Sequence, residues 1–463
     1  MTDDDRRLTE RLRRYESSVP EAPIPPTVSF NRRPPWMAIA AIGAAAVLAG
    51  AVIAGNALND QDVGEADPTP TASQNAEPTP SESPSPSATA EETAGTESPS
   101  AQPTTQPTST PAPAPSVISG LAWQDGAASN VEGSVFRITA ERGRFYALGS
   151  VPGTAAIWSS SDGSDWQRAD LPFPSEWPPE RGNDVYVHEL ASVGNRLVAI
   201  GTARINDYLE VVVWESTDGT TWREIDTGAL RQDAFLVDDI SDGPGGLVVL
   251  SQQYIPGNSS AWRSADGGGA WTEHRPPGEG LSLHAVVGTA SGYVIAGAES
   301  DAPTDGQPSS PRIWHSTNGT NWTAASVEGS GGLGQVEQIT VDGSGRWAAV
   351  GALNGSMVAW HSQDGRSWTV TADFGPLGNS YLADMRLAGA PDGFIAVHAT
   401  QQAATWTSAD GATWTLGSSG IPSVSDTGFG WSRGIGRIGD TVVMTGDAPA
   451  PEGWLSWIGT IQR

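Results

Sequence analysis

Cysteine is absent from the 463 residues. With it go a disulfide scaffold, a thiol nucleophile, thiolate-held zinc or iron–sulfur centres and a lipidated cysteine anchor. Any membrane attachment must therefore be a peptide segment. Lysine is absent too, so all 25 basic residues are Arg, and against 53 acids they leave a net charge of -28. Such a chain repels phosphate backbones, which excludes nucleic acid as a partner. The six His show no metal-ligand spacing, so no metal or other cofactor is expected. Charge is missing altogether between Met37 and Leu58, where the only polar side chain is Asn56. A helix of that length spans about 33 Å, enough to cross a bilayer.

Seven Arg precede this run (Arg6, Arg7, Arg11, Arg13, Arg14, Arg32 and Arg33), and no basic residue follows it until Arg137. The asymmetry predicts a cytoplasmic tail over residues 1–36, one transmembrane helix over 37–58, and everything later outside the cell. The expectation is a single-pass cell-membrane protein. A cleaved signal peptide with Gly55 and Ala57 before the cut is the alternative, against which the tail is long. Ala46, Gly50 and Ala54 give the span a small-residue face but leave the oligomeric state open. In the tail, Leu8, Leu12 and Tyr15 recur at helical spacing until Pro20, Pro23, Pro25 and Pro26 break any helix. Residues 59–116 hold no aromatic and no basic side chain, and Pro, Thr, Ser, Ala and Glu dominate them. Such a segment cannot bury a core and reads as a disordered stalk.

Residues 117–463 carry an internal repeat. Trp recurs in pairs: Trp158 and Trp166, Trp214 and Trp222, Trp262 and Trp271, Trp314 and Trp322, Trp360 and Trp368, Trp406 and Trp414. Within each pair stands a Ser followed by Asp-Gly or Asn-Gly, as in Ser160-Ser161-Asp162-Gly163. Those dipeptides close tight turns, so each copy reads as a β-hairpin with its two Trp opposite one another. Two further strands precede each hairpin, for example Val187–Ala191 and Arg196–Ile200. Four strands per unit and six or seven units predict an all-β chain, a seven-bladed β-propeller, with six blades as the alternative. The last unit, Trp431 to Trp457, lacks a fourth strand. Leu121–Gln124 is the spare strand, and Trp123 is expected to stand where the missing repeat Trp would be.

The repeat resembles the Asp-box, or BNR repeat, of sialidase-like propellers. Ser264, Asp266, Gly268 and Trp271 match its Ser-x-Asp-x-Gly-x-x-Trp spacing in full, and the other five copies are one residue shorter. The resemblance implies that Asp162, Asp218, Asp266, Asn318, Asp364 and Asp410 are structural turn residues, on the face away from an active site. A sialidase would also need an Arg triad, a Tyr nucleophile paired with Glu, and an Asp acid. Phe136-Arg137-Ile138-Thr139 resembles the early Arg motif of that family, with Thr139 where Pro is usual. Aligning the seven first strands on Ile138, Leu190, Ile240, Val286, Ile339, Leu387 and Ile435 collects polar residues in two columns. One holds Arg137, Glu189, Asp239, Gln338 and Arg386; the next holds His188, Asp238, His284, Glu337 and Arg433. These are the candidate ligand-binding residues at the mouth of a central channel.

The last Tyr is Tyr381, and none follows Arg386 or Arg433, where the family's nucleophile belongs. The resemblance therefore implies a non-catalytic member, and no catalytic residue is assigned. Seven blades also depart from the six of sialidases. Gly329 to Gly334 fits the G-x-G-x-x-G string, but no helix follows it to make a phosphate site. Asn258, Asn318, Asn321 and Asn354 have the form of glycosylation sequons, all in predicted turns. The expected function is a membrane-anchored extracellular binding or sensing module whose partner is a protein or a glycan. A sialidase-like glycoside hydrolase and a signalling protein working through residues 1–36 are the alternatives.

Overall fold

The computed structural model describes residues 118, 120–125, 133–172, 185–205, 208–233, 236–252, 258–300, 309–377, 385–390, 392–398, 404–417, 432–447 and 454–462. The expected tail, membrane span and stalk lie outside the described residues. Among the described residues no helix is long and apolar enough to cross a membrane.

Seven antiparallel sheets follow one another along the chain. The first holds Ser134–Glu141, Arg144–Val151, Thr154–Ser160 and Gln167–Asp170, hydrogen-bonded in that order. The next five begin at Val185–Val193, Leu236–Gly243, Leu281–Thr289, Gly334–Val341 and Met385–Ala390, and the seventh begins at Ser432–Ile438. Each of these first strands touches the first strands before and after it, and Ser432–Ile438 returns to Ser134–Glu141. The result is a closed ring, a seven-bladed propeller with the first strand of each blade innermost. The middle strands are buried on both faces, as in Phe145 to Gly149 and Gly292 to Ala298. A blade has a neighbour on each side, so both faces of its middle strands read as continuous apolar runs rather than alternating ones.

The seventh blade takes its outer strand from the other end of the chain. Gly120–Asp125 pairs antiparallel with Trp454–Gln462, from Gly120 opposite Gln462 to Asp125 opposite Trp457. Leu121 is buried, and with Ile118 it joins Ile395, Val397, Val442, Met444, Trp457 and Ile461 in one cluster. Trp123 stands opposite Gly459, two residues before the partner of Trp457. In the first blade Trp166 likewise precedes Arg168, the partner of Trp158, by two residues. The closing strand thus supplies the missing repeat Trp in register. A side chain at position 459 would meet Trp123 ring carbons at 3.1 Å and Leu121 at 2.9 Å, so glycine lets the closing strand's side chains pack directly over this position.

The repeat Trp residues do not stand opposite one another as the hairpin reading expected. Trp158 faces Arg168, Trp214 faces Glu224 and Trp360 faces Val370. In four copies the second Trp instead folds back over its own turn, its indole N–H donating to a turn-glycine carbonyl, whereas the Trp222 and Trp322 N–H groups are buried without a partner among the described residues. Trp166 reaches the Gly163 carbonyl at 3.1 Å and Trp414 reaches Gly411 at 3.0 Å. Within the turn, Ser160 Oγ accepts the Gly163 N–H at 2.9 Å, and Asp162 Oδ1 accepts the Ser164 and Asp165 N–H groups at 2.8 and 3.1 Å. Asp218, Asn318, Asp364 and Asp410 accept the same pair of amides in their own turns. In the longer third copy, Gly267 and Gly268 are both left-handed (φ 81 and 120), which absorbs the extra residue and lets Gly268 N–H reach Ser264 Oγ at 2.8 Å.

One strand was not foreseen. Ser326–Val327, in the connection into the fifth blade, pairs parallel with Ser367 and Trp368 on that blade's outer edge.

Candidate functional site

Adjacent residues on a regular strand point to opposite faces, so two neighbouring polar columns would ordinarily part company. A β-bulge prevents this. Pairing between first and second strands skips one residue between Val135 and Arg137, Val187 and Glu189, Val237 and Asp239, Leu283 and Ala285, Val336 and Gln338, and Ser432 and Gly434. The skipped residues are Phe136, His188, Asp238, His284, Glu337 and Arg433. The second column is therefore the bulge itself, re-aimed beside the first. Only the sixth blade keeps regular pairing among the described residues, Met385 opposite His398 and Arg386 opposite Val397.

The side chains so gathered bind mainly one another. Arg137 pairs with Glu189 of the next blade, and its Nη2 donates to the Asp238 carbonyl of the blade after that at 3.0 Å. His284 Nδ1 meets Glu337 Oε2 at 2.9 Å, and Gln335 Nε2 donates to the same oxygen at 3.0 Å. Gln252 donates to Asp238 Oδ1 at 2.9 Å, whereas Asp238 Oδ2 is buried without a partner among the described residues. His188 lies 2.8 Å from Thr202 Oγ1.

Two first-column residues act as staples between blades. Asp239 Oδ2 accepts the Val286 N–H at 2.8 Å, and Gln338 Oε1 accepts the Leu387 N–H at 3.2 Å. Those backbone donors sit on inner strands, where a buried amide without a partner would be costly. Arg386 bonds the Met385 carbonyl at 2.9 Å. Arg433 lies in Ser432–Ile438, and its side chain is outside the described residues. The predicted columns do share the innermost strands, and Arg137, Glu189, Asp238, His284 and Glu337 make direct contacts across blades. Phe136 and Tyr186, which the polar columns leave out, form an edge-to-face pair beside Arg137 and His188 with ring centroids 5.3 Å apart.

Crowded carboxyl groups set the electrostatics. Burial raises Asp238 to about 7 and Asp239 to about 6, with Arg137 opposing both. Burial pushes Glu189 up as well, against the pull of Arg137. Glu337 goes the other way, to about 2: burial is the largest single influence and opposes its charge, but His284, Arg386 and Gln335 together outweigh it. His284 is raised in turn, Glu337 and Asp238 together overcoming its desolvation. Burial and Arg137 lower His188 to about 4. The site thus holds the Arg137–Glu189 and His284–Glu337 pairs, a neutral imidazole at His188, and a carboxyl at Asp238 with one oxygen unpartnered among the described residues. Among the described residues no three His, Asp or Glu are grouped to hold a metal ion.

No family model and no curated protein matches the chain. Solved structures do resemble it. A mutant Trypanosoma rangeli sialidase displaying trans-sialidase activity aligns with TM-score 0.40 and 11% identity, over 71% of this chain and 54% of that one. The phage phi92 endosialidase gives 0.40 and 12%, over 75% and 70%. A Hadza microbial sialidase gives 0.37 and 14%, over 67% and 74%. The chain spans about half the length of the trypanosomal enzyme. Likeness at this level says nothing of the site, and the propeller is established by its own seven hydrogen-bonded sheets.

Proposed function

We propose that this protein is a membrane-anchored, extracellular β-propeller that serves as a non-catalytic binding or sensing module, with a protein or a glycan as ligand. The observation that carries this reading is the commitment of Arg137. Its guanidinium, which a sialidase-like enzyme would leave free to fork onto a substrate carboxylate, is held by Glu189 and the Asp238 carbonyl. The lack of any Tyr after Tyr381 supports it further. Anchorage rests on the charge-free run 37–58 and the Arg-rich tail before it. The test is release of a fluorescent aglycone from a sialoside by the purified chain, alongside glycan-array and surface-protein binding. No turnover is expected, and turnover abolished by Arg137→Ala would overturn the proposal.

One observation favours hydrolysis as a second reading. Asp238, raised to about 7, would hold a proton near neutral pH as a general acid must. Asp238→Asn would then abolish turnover and leave ligand binding intact.

A further inference from the structure

The sequence contains two Asn-Gly dipeptides, Asn318-Gly319 and Asn354-Gly355, and the fold treats them in opposite ways. Asn318 sits in a repeat turn. Its Oδ1 accepts the Ser316 hydroxyl at 3.1 Å and the Thr320 and Asn321 N–H groups at 3.0 Å each. Gly319 is buried, and its N–H donates to Ser316 Oγ at 3.0 Å. The amide nitrogen that follows Asn318 is thus buried and engaged.

Asn354 and Gly355 are exposed and form the two-residue turn between Trp347–Leu353 and Ser356–Ser362. Asn354 (φ 52) and Gly355 (φ 83) are both left-handed, the geometry that a two-residue hairpin turn requires and Asn-Gly supplies. Asn354 clasps the loop of the G-x-G-x-x-G string: its N–H donates to the Leu333 carbonyl at 2.6 Å, and its Oδ1 accepts the Leu333 N–H at 3.0 Å. Gly355 N–H has no acceptor among the described residues, and no heavy atom lies within 4 Å of where a Cβ would stand.

We propose that Asn354 is a site of spontaneous covalent modification, in which the Gly355 backbone nitrogen attacks its side-chain carbonyl and releases ammonia. The new bond joins Gly355 N to Asn354 Cγ as the Cγ–Nδ2 bond breaks, and the amide proton leaves with the ammonia. One water then opens the succinimide to an aspartyl or isoaspartyl residue, so no oxidant, reductant or cofactor is consumed. The Leu333 N–H stands against the oxygen on which negative charge develops in the tetrahedral intermediate, where a fixed donor lowers the barrier. Opening an exposed turn at a hairpin tip to reach the attacking geometry costs little. An isoaspartyl product adds a backbone atom to a turn whose flanking pair, Leu353 and Ser356, leaves no slack. The clasp on Leu333 then loosens.

The test is peptide mass mapping of the full chain incubated at mildly alkaline pH, native and in urea. In the native state Asn354 should convert at least about tenfold faster than Asn318, and in urea the two rates should converge. Ser316→Ala, which frees the Gly319 nitrogen, should speed conversion at Asn318. Native rates that are equal, a faster Asn318, or a ratio unchanged in urea would each overturn the proposal, and the urea comparison stands even if Ser316→Ala does not fold.

Discussion

Replacing Leu121 by Ala tests whether one short strand holds the ring shut. Leu121 is 2% exposed and packs on Trp457 and Ile461 of its own sheet and on Ile395 and Val397 of the sixth blade. Truncating a buried Leu removes its transfer energy and leaves a cavity, together about 2–5 kcal/mol. For a propeller spanning residues 117–463 an unfolding entropy of about 2.1 cal/mol/K per residue makes each kcal/mol worth about 1.4 °C, so a fall of about 4 °C is expected for a mid-range cost of about 3 kcal/mol. The control is chemically identical: Leu416 in the sixth blade is 63% exposed, and its truncation should cost no more than about 0.5 kcal/mol. Differential scanning calorimetry of the full chain, with light scattering to report aggregation from the opened edge, reads both. The same logic makes a chain starting at residue 117 soluble and one starting at residue 128 prone to aggregate. Equal melting temperatures for Leu121→Ala and Leu416→Ala would refute closure by this strand.

Ser160→Ala should cost about 1–3 kcal/mol in thermal unfolding, because the buried Gly163 N–H loses its acceptor. Asp238→Asn should raise the melting temperature at pH 7.5 and leave it unchanged near pH 4. A carboxyl lifted to about 7 favours folding only while protonated, so stability drains away as pH rises from about 4 to 7, and the amide avoids that loss while keeping an oxygen for Gln252. His398 is buried and its Nε2 has no partner among the described residues. Burial lowers its pKa, so its contribution is present above pH 6.5 and is lost as pH falls below it. His398→Phe should shift the acid-unfolding midpoint downward.

The blade count and the closing strand were legible because Trp pairs and Asx-Gly turns recur with a fixed local chemistry. Pairing of the inner ring was not, since column alignment names neighbours without saying which carboxylate an Arg reaches. The bulges did leave a trace that hydrophobic pattern alone passes over. Gly149, Gly201, Gly297 and Gly351 stand opposite the residue just before four of the six bulges, where a side chain would collide with the preceding backbone carbonyl, although the third blade bulges with Ser251 at that position. The sixth blade has His398 at that position and regular pairing. The wrong expectation about the Trp pairs came from counting a hairpin symmetrically about Asp. The turn residues Gly163 to Asp165 instead carry the second indole back over the Gly163 carbonyl.

Gly120 lies beside Gln462 on the outer edge of a single blade. The chain upstream of Ile118 is therefore joined to the ring at its rim, away from the innermost strands that carry Arg137, Asp238 and Glu337. Tension applied at Gly120 would fall first on the six residue pairs that close the circle.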